Sequence, residues 1–281
     1  MSARPIFAVV TSLISIGCAD QAVSPIAPLE NAKPLPIISG QPDQGAHPYV
    51  GLLVFDDADG PAWSCTGALL SSTVVLTAGH CTDGAVAARI WMDEVVQGNA
   101  QFPFGGTTSY EGTPSTYPGF CVACNSFSIL RWLEGDVGIV VLSEPVPTSV
   151  VSTYVQLPAS GLASTLANNS EIRHVGYGDQ FRLVGGGRPG TGGSLRRLTS
   201  VASLISGKFD NSENLIRLSS NSAKGKGGTC YGDSGAPNLV GTRHVTIAVT
   251  SYGTNGNCTG SDYSTRIDVA SVLSWIHGFL D

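Results

Sequence analysis

Charged residues are scarce in this sequence. Only 13 % of its 281 residues are charged, and the formal net charge is −6. The cations form no basic stripe of the kind that neutralises phosphates, so we expect no nucleic-acid partner. The chain has 35 glycines, 16 prolines and 42 % hydrophobic residues. This composition favours short strands joined by many turns, in one large all-β domain or two small ones.

The apolar run near the N-terminus is too short to cross a bilayer as a helix. It extends over the eleven residues 6–16 and follows Arg4. A short apolar run after a positive charge is typical of a signal peptide. We therefore predict a signal peptide over residues 1–18 and an exported protein.

The end of this leader offers two kinds of cleavage. Gly17-Cys18 resembles a bacterial lipoprotein site, which predicts a lipid on Cys18 and attachment to a membrane. Ser15 stands where such sites carry an aliphatic residue, so ordinary signal-peptide cleavage is the alternative. The expected location is secreted or membrane-anchored at the bacterial cell envelope.

The rest of the chain divides into a linker and a strand-rich domain. Residues 19–36 contain four prolines and are predicted to be a linker or propeptide. Beyond them, short β-branched runs alternate with Gly, Asp and Ser turns, which is typical of strands. The C-terminal stretch 268–280 has apolar residues at helical spacing, with Asp268 as a candidate N-cap.

Three polar residues suggest nucleophilic catalysis. Ser234 lies in "CYGDSGAP", His80 follows the strand-like "TVVLTA" and precedes Cys81, and Asp136 precedes the apolar run "VGIVVL". A histidine can accept the proton of a serine hydroxyl while a carboxylate orients its ring. A Gly-Asp-Ser-Gly string can also be a plain surface turn.

These segments resemble the motifs of the chymotrypsin-like (trypsin-fold) serine proteases. "LTAGHC", "GDVGIVVL" and "CYGDSGAP" occur in the order His80, Asp136, Ser234 that this family uses. "IISG", "HVGYG", "SYG" and "STRI" match further family segments at the expected places, so that the resemblance extends from Ile37 to the C-terminus. The chain thus resembles a bacterial exported member of the family.

The resemblance implies a fold and an activity. The fold is all-β, with two six-stranded antiparallel β-barrels, roughly residues 37–150 and 151–265, and a C-terminal helix over 268–280. The domain 37–281 would be a serine endopeptidase that acts on protein or peptide substrates, with neither a cofactor nor a metal. A catalytically silent binding protein and an esterase with the same triad are the alternatives.

The resemblance also implies roles for individual residues. Ser234 would be the nucleophile, His80 the general base and then acid, and Asp136 the anion that orients His80. The backbone N–H groups of Gly232 and Ser234 would form the oxyanion hole, and Ser251 would help to hold Asp136.

Cysteines provide further expectations. Six of the seven cysteines remain when Cys18 is set aside, an even number that predicts disulfides in an exported protein. The family implies the pairs Cys65–Cys81 and Cys230–Cys258. Cys121 and Cys124 have no counterpart there; a local loop disulfide is expected, and a redox or metal role lacks a second ligand pair.

Activation and specificity follow from the same resemblance. The α-ammonium of a mature N-terminus at Ile37 would pair with Asp233. Pro36 precedes Ile37, so an outside protease would make the cut, or a cut elsewhere would be followed by trimming. Cleavage before Ile37 would also release a domain anchored through Cys18.

The pocket for the substrate P1 side chain departs from that of trypsin. Gly228 occupies the floor position where trypsin-like enzymes carry Asp, Asp262 lies on the opposite wall, and Gly253 leaves the entrance open. We expect an open S1 pocket that accepts Lys, Arg and large apolar side chains; the alternative is that Asp262 is a solvated loop residue. Gly79 and Ala236 replace the usual Ala and Gly beside the site, and we expect only a modest adjustment.

Overall fold

The computed structural model describes residues 40–120, 134–178, 195–205, 213–221, 224–254, 258 and 260–280. The chain divides into two compact units, Met1–Lys33 and Pro34–Asp281, and every described residue lies in the second. The strands there are β1 Gln41–Pro42, β2 Val50–Asp57, β3 Gly60–Leu69, β4 Val74–Thr77, β5 Ala87–Trp91, β6 Ser109–Thr116, β7 Gly138–Leu142, β8 Glu171–Gly176, β9 Leu198–Ile205, β10 Leu215–Ser220, β11 Pro237–Val240, β12 Thr246–Gly253 and β13 Gly260–Arg266. The helices are α1 Gly79–Thr82 and α2 Ala270–His277, and Leu162–Thr165 forms a short 3-10 turn.

The strands close two antiparallel barrels. The first barrel has the strand order β2-β3-β4-β7-β6-β5 and closes through the β2–β5 pair. The second has the order β8-β9-β10-β13-β12-β11 and closes through the pairs β8–β9 and β8–β11. The predicted all-β fold of two six-stranded barrels is confirmed.

One hydrophobic core extends across both barrels. Strand β2 is buried at almost every position because one face lines the first barrel and the other packs on the second. Leu52, Val54 and Trp91 share this core with Val175, Tyr177 and Leu239. The shared core fixes the two barrels against each other, and so it fixes the loops that meet between them.

The interior of the second barrel is partly polar. Ile172, Leu204 and Leu218 form an apolar core there. His174 lies on the same face of β8 as Ile172 and is fully buried, with the side chain of Asn238 as its polar neighbour. Desolvation lowers the pKa of His174 to about 4, so the ring is neutral at pH 7.

Helix α2 packs on the outside of both barrels. Val272 and Ile276 contact a cluster that includes Leu76 and Ile139 of the first barrel and Val249 of the second. The prediction that Asp268 caps this helix is wrong. The N-cap is Val269, and the Asp268 carboxylate accepts hydrogen bonds from the Ala163 N–H (2.7 Å) and from Arg266 Nε (2.7 Å). The carboxylate faces the N–H of the buried Ala163 and the guanidinium of Arg266 because both offer better-placed donors than the helix does.

A buried ionic cluster fixes the N-terminal strand. The Asp43 carboxylate, fully buried, accepts hydrogen bonds from His47 Nδ1 (2.5 Å), Thr199 Oγ1 (2.7 Å) and Arg197 Nε (3.0 Å). Arg197 in turn donates to main-chain carbonyls of the first barrel. Burial raises the pKa of Asp43, but the hydrogen bonds from His47 and Thr199 lower it by more, so that it lies well below its usual range. The cluster therefore joins β1, β9 and the first barrel.

Among the described residues, no helix has the length and apolar character that crossing a membrane requires.

Candidate active site

His80 lies in the short helix α1, directly after the buried strand β4. The Cys65–Cys81 disulfide ties α1 to β3 beside it, and Trp63 Nε1 donates to the Cys81 carbonyl at 2.8 Å. The residue before His80 has little room for a side chain, because a Cβ on Gly79 would lie 3.0 Å from both Phe120 Cγ and Val137 N. This packing explains why glycine replaces the alanine that is usual there.

Asp136 orients His80 through two hydrogen bonds. It follows Gly135, whose φ of +76° makes the tight turn into β7, and its carboxylate is fully buried. Oδ1 accepts from the His80 backbone N–H at 2.6 Å, and Oδ2 lies 2.8 Å from His80 Nδ1. The hydroxyl of Ser251 donates to Oδ2 as well. Nδ1 is thus engaged, which directs Nε2 of His80 away from the carboxylate.

The same pair sets the protonation of the ring. Burial lowers the pKa of His80, but the charge of Asp136 and the hydrogen bond to it raise this pKa by more, so that it lies above the usual histidine value. A ring of this kind accepts a proton readily and holds it as a stabilised imidazolium.

Ser234 lies in the turn that leads into β11. Its carbonyl accepts a hydrogen bond from the Thr66 N–H of the first barrel at 2.8 Å. The next residue, Gly235, has a φ of +81°, and a Cβ there would lie 2.1 Å from Thr77 Oγ1, so only glycine fits. Ala236, which replaces the second glycine of the family motif, is buried without a positive φ.

Ser234 and Ser251 line one cavity of about 140 Å³. Gly253 and the disulfide Cys230–Cys258 also line it, as the resemblance implies. Tyr231 and Tyr252 line it too, and they were not predicted. Tyr231 is 53 % exposed. The signal for Tyr231 was its position between Cys230 and Gly232, inside the motif of the serine.

The loop before Ser234 is held by hydrogen bonds to its backbone and to the side chain of Asp233. Gly232 has a φ of +96°, and its carbonyl accepts a hydrogen bond from Thr66 Oγ1 at 2.8 Å. The buried Asp233 carboxylate accepts from the N–H groups of Gly178 (2.8 Å) and Cys230 (2.9 Å). A Cβ on Gly178 would lie 2.0 Å from Asp233 Oδ2, so the glycine of "HVGYG" makes room for this carboxylate.

Asp262 lies beneath the cavity and not in a solvated loop. It is 1 % exposed on β13, and its Oδ2 accepts from the Thr229 N–H at 2.9 Å. Its Oδ1 has no hydrogen-bond donor within the described ranges. Burial raises the pKa of Asp262 to about 6, against the lowering effect of the hydrogen bonds from Thr229.

A side chain on Gly228 would overlap the carboxylate of Asp262. A Cβ on Gly228 would lie 2.6 Å from Ser220 Cβ and 2.9 Å from Asp262 Oδ2. A side chain at position 228 is therefore excluded while Asp262 holds its place. Neither residue contributes to the described lining of the 140 Å³ cavity, which ends at Thr229 above them.

The site does not have the donors of a metal centre. Cys65, His80 and Cys81 lie close enough together, among the described residues, to surround an ion. Both cysteines are oxidised in the disulfide, which leaves no thiolate to bind one. The arrangement suits an imidazole held for proton transfer.

Four of the residues singled out from the sequence lie outside the described residues. These are Ile37, proposed for activation, Cys18, proposed for lipidation, and the pair Cys121 and Cys124.

Comparisons with known proteins agree with this geometry. The trypsin family model matches residues 37–276. Serine protease 1 of Drosophila melanogaster is 26 % identical over 257 residues, which cover 85 % of this chain and 84 % of that protein. Brachyurin of Leptuca pugilator is 26 % identical over 243 residues, covering 82 % and 91 %. These relatives are animal proteins, so they do not support the predicted bacterial origin.

Solved structures share the fold of this chain. The human heparin binding protein superimposes with a TM-score of 0.59 at 19 % identity, covering 86 % of this chain and 95 % of that one. The family match covers most of the chain and includes the segments that carry His80, Asp136 and Ser234. The chain belongs to the trypsin family of chymotrypsin-like serine proteases.

Proposed function

We propose that the protein is a serine endopeptidase that forms an acyl-enzyme on Ser234. The observation that carries the proposal is the buried Asp136 carboxylate, which engages His80 Nδ1 and the His80 N–H while Ser251, its third partner, shares a cavity with Ser234. A carboxylate held in this way supports an imidazole that takes and returns protons.

The reaction would proceed in two halves. Ser234 Oγ attacks the scissile carbonyl carbon, and its proton passes to His80 Nε2. The N–H groups of Gly232 and Ser234 stabilise the oxyanion, the C–N bond breaks, and His80 protonates the leaving amine. Water then attacks the acyl-enzyme with His80 as the base, and the proton returns to Ser234 as the acid is released. Asp136 keeps the ring oriented throughout and stabilises the imidazolium.

A fluorophosphonate probe tests this proposal directly. We expect the probe to label the wild-type protein and to leave Ser234→Ala unlabelled, with peptide substrates cleaved only by the wild type. Equal labelling of both proteins would contradict the assignment. Labelling without peptide or ester turnover would instead favour a silent binding protein, and ester turnover alone would favour an esterase.

The S1 pocket is proposed to accept Lys, Arg and large apolar side chains. The open entrance at Gly253 supports this, and so does the Asp262 carboxylate beneath the cavity, whose Oδ1 has no hydrogen-bond donor among the described residues. A library of peptides that differ only at P1 measures the preference. A strict preference for Ala or Val would refute the open pocket.

Export and activation are proposed on the sequence alone. Cleavage of the exported chain before Ile37 by another protease would create the α-ammonium that pairs with Asp233, and it would release the domain from a lipid on Cys18. In this proposal the cation would add to the hydrogen bonds that the buried Asp233 carboxylate already accepts from the N–H groups of Gly178 and Cys230. N-terminal sequencing of active protein tests both steps: a sequence that begins at residue 18 would contradict them.

A further inference from the structure

We propose that Thr66 is a positioning residue for the oxyanion loop, residues 232–235. The proposal rests on the protease function above and adds to it a residue that touches no substrate. It starts from the hydrogen bonds of one fully buried side chain at the boundary of the two barrels.

Every polar group of Thr66 is used. Its N–H donates to the Ser234 carbonyl (2.8 Å), its hydroxyl donates to the Gly232 carbonyl (2.8 Å), and the same hydroxyl accepts from the Tyr177 N–H (3.1 Å). Its carbonyl accepts from Thr77 Oγ1 at 2.9 Å. Two of these four bonds end on the loop that carries the nucleophile.

Gly232 needs an outside restraint. Glycine populates positive and negative φ about equally, so nothing in Gly232 itself maintains its φ of +96°. On the far side of the loop, Asp233 is held through its carboxylate by Gly178 and Cys230. On the near side, the Thr66 hydroxyl holds the Gly232 carbonyl. Without that bond the peptide between residues 232 and 233 keeps only the hydrogen bond from the Asp233 N–H to the Cys230 carbonyl (3.0 Å), so the backbone of Gly232, including its N–H, is held less firmly.

The position of Thr66 makes the restraint rigid. It lies in β3 next to Cys65, whose disulfide to Cys81 braces the helix of His80. The same strand therefore fixes the base through the disulfide and the oxyanion loop through the hydroxyl. A shift of one relative to the other would misplace a reacting atom, which costs rate without costing affinity.

The chain offers a matched control in Thr246. Like Thr66 it is fully buried in a strand, and its hydroxyl donates one hydrogen bond (Ala248 carbonyl, 2.9 Å) and accepts one (Asn238 N–H, 3.1 Å). None of these partners belongs to the oxyanion loop. Replacing either threonine by valine removes a buried hydroxyl that donates one hydrogen bond and accepts one. The two variants should therefore lose similar stability, and only Thr66→Val should disturb the oxyanion loop.

The experiment compares Thr66→Val, Thr66→Ser and Thr246→Val by two readouts. Steady-state hydrolysis of a peptide ester should show kcat lowered about 5- to 30-fold in Thr66→Val, as expected for the loss of one well-placed hydrogen bond, with KM within about twofold of wild type. Thr66→Ser should restore kcat, and Thr246→Val should leave it unchanged. Urea unfolding should show similar losses of stability for both valine variants.

Amide hydrogen exchange over residues 228–236 gives a readout that needs no turnover. We expect exchange in this segment to be about 5- to 30-fold faster in Thr66→Val and unchanged in the other two variants. Unchanged exchange, equal kcat losses in both valine variants, or failure of serine to restore kcat would each overturn the proposal. If the wild type is inactive but exchange over residues 228–236 is still faster in Thr66→Val, the protease function is refuted and the positioning role of Thr66 is retained.

Discussion

Loss of the Asp262 charge should change which substrates are cleaved and how the choice depends on pH. The carboxylate is almost completely buried, and its Oδ1 has no donor in the described residues. Its pKa of about 6 means that it changes charge between pH 5 and pH 8. A substrate cation can pair only with the ionised form.

The magnitude follows from this pKa. With a pKa of about 6, roughly 9 % of Asp262 is ionised at pH 5 and about 99 % at pH 8. Because kcat/KM reports the free enzyme, the ratio of kcat/KM for a P1-Lys peptide to that for an otherwise identical P1-Phe peptide should rise about tenfold from pH 5 to pH 8. The ratio cancels the titration of His80, since both substrates need the same base.

Asp262→Asn should remove the pH dependence of this ratio and stabilise the protein. The pKa of Asp262 is raised on folding, so the penalty for its charge is absent below about pH 4, grows as pH rises toward 6, and is complete above that. Two pKa units correspond to about 3 kcal/mol, an upper limit for the gain of Asp262→Asn at pH 8. The amide oxygen can still accept from Thr229, but the loss of the charged hydrogen bond offsets part of this gain.

The assay measures both substrates from pH 5 to pH 8 and the urea unfolding of both proteins at pH 8. Glu171→Gln removes an exposed carboxylate of the same barrel and serves as the control. A wild-type ratio that does not change with pH, or the same slope in Asp262→Asn, would refute the role of Asp262.

Three further perturbations test the framework around the site. Asp43→Asn should lower the unfolding free energy at pH 7 by about 3–5 kcal/mol, because it leaves the buried Arg197 unpaired, and its difference from wild type should shrink below about pH 4. Burial lowers the pKa of His174 to about 4, so its protonation should cost wild type up to about 3 kcal/mol of stability as pH falls from about 6.5 to 4, and His174→Val should lack this loss. A difference in unfolding free energy between His174→Val and wild type that stays the same from pH 7 to pH 4 would contradict this. Gly79→Ala should lower kcat/KM by about fivefold, which corresponds to about 1 kcal/mol, because its Cβ would press on Phe120 beside His80. Unchanged hydrolysis would show that the Phe120 ring can move aside without displacing His80.

The sequence motifs predicted the fold and the residues that the structure brings together at Asp136. They succeed because local chemistry dictates them: a buried carboxylate, the ring it orients and the glycines of a tight turn leave little freedom of residue type. Asp268 shows the limit of such reasoning. Its preference for the helix N-terminus was outweighed by donors from Ala163 and Arg266, and Ala163 lies 105 positions away in the chain.

Long-range packing explains what could not be predicted. The burial of Asp262 depends on Gly228 and Ser220, which belong to other segments. The Asp43–Arg197 ion pair joins residues 154 positions apart. Thr66 looks like any strand threonine until the loop of Ser234 is placed against it. In each case the role of the residue depends on a partner from a distant segment, which the local sequence does not reveal.

The core shared by the barrels makes their folding a single event. Leu52, Trp91 and Tyr177 belong to one apolar cluster, so neither barrel can open without exposing the surface of the other. Helix α2 reinforces this coupling, since its apolar face contacts both barrels. A molecule that binds only the native cleft must therefore raise the melting temperature of the whole domain by mass action. Natural substrates could therefore be sought by thermal-shift measurements on the Ser234→Ala protein, which lacks the proposed nucleophile.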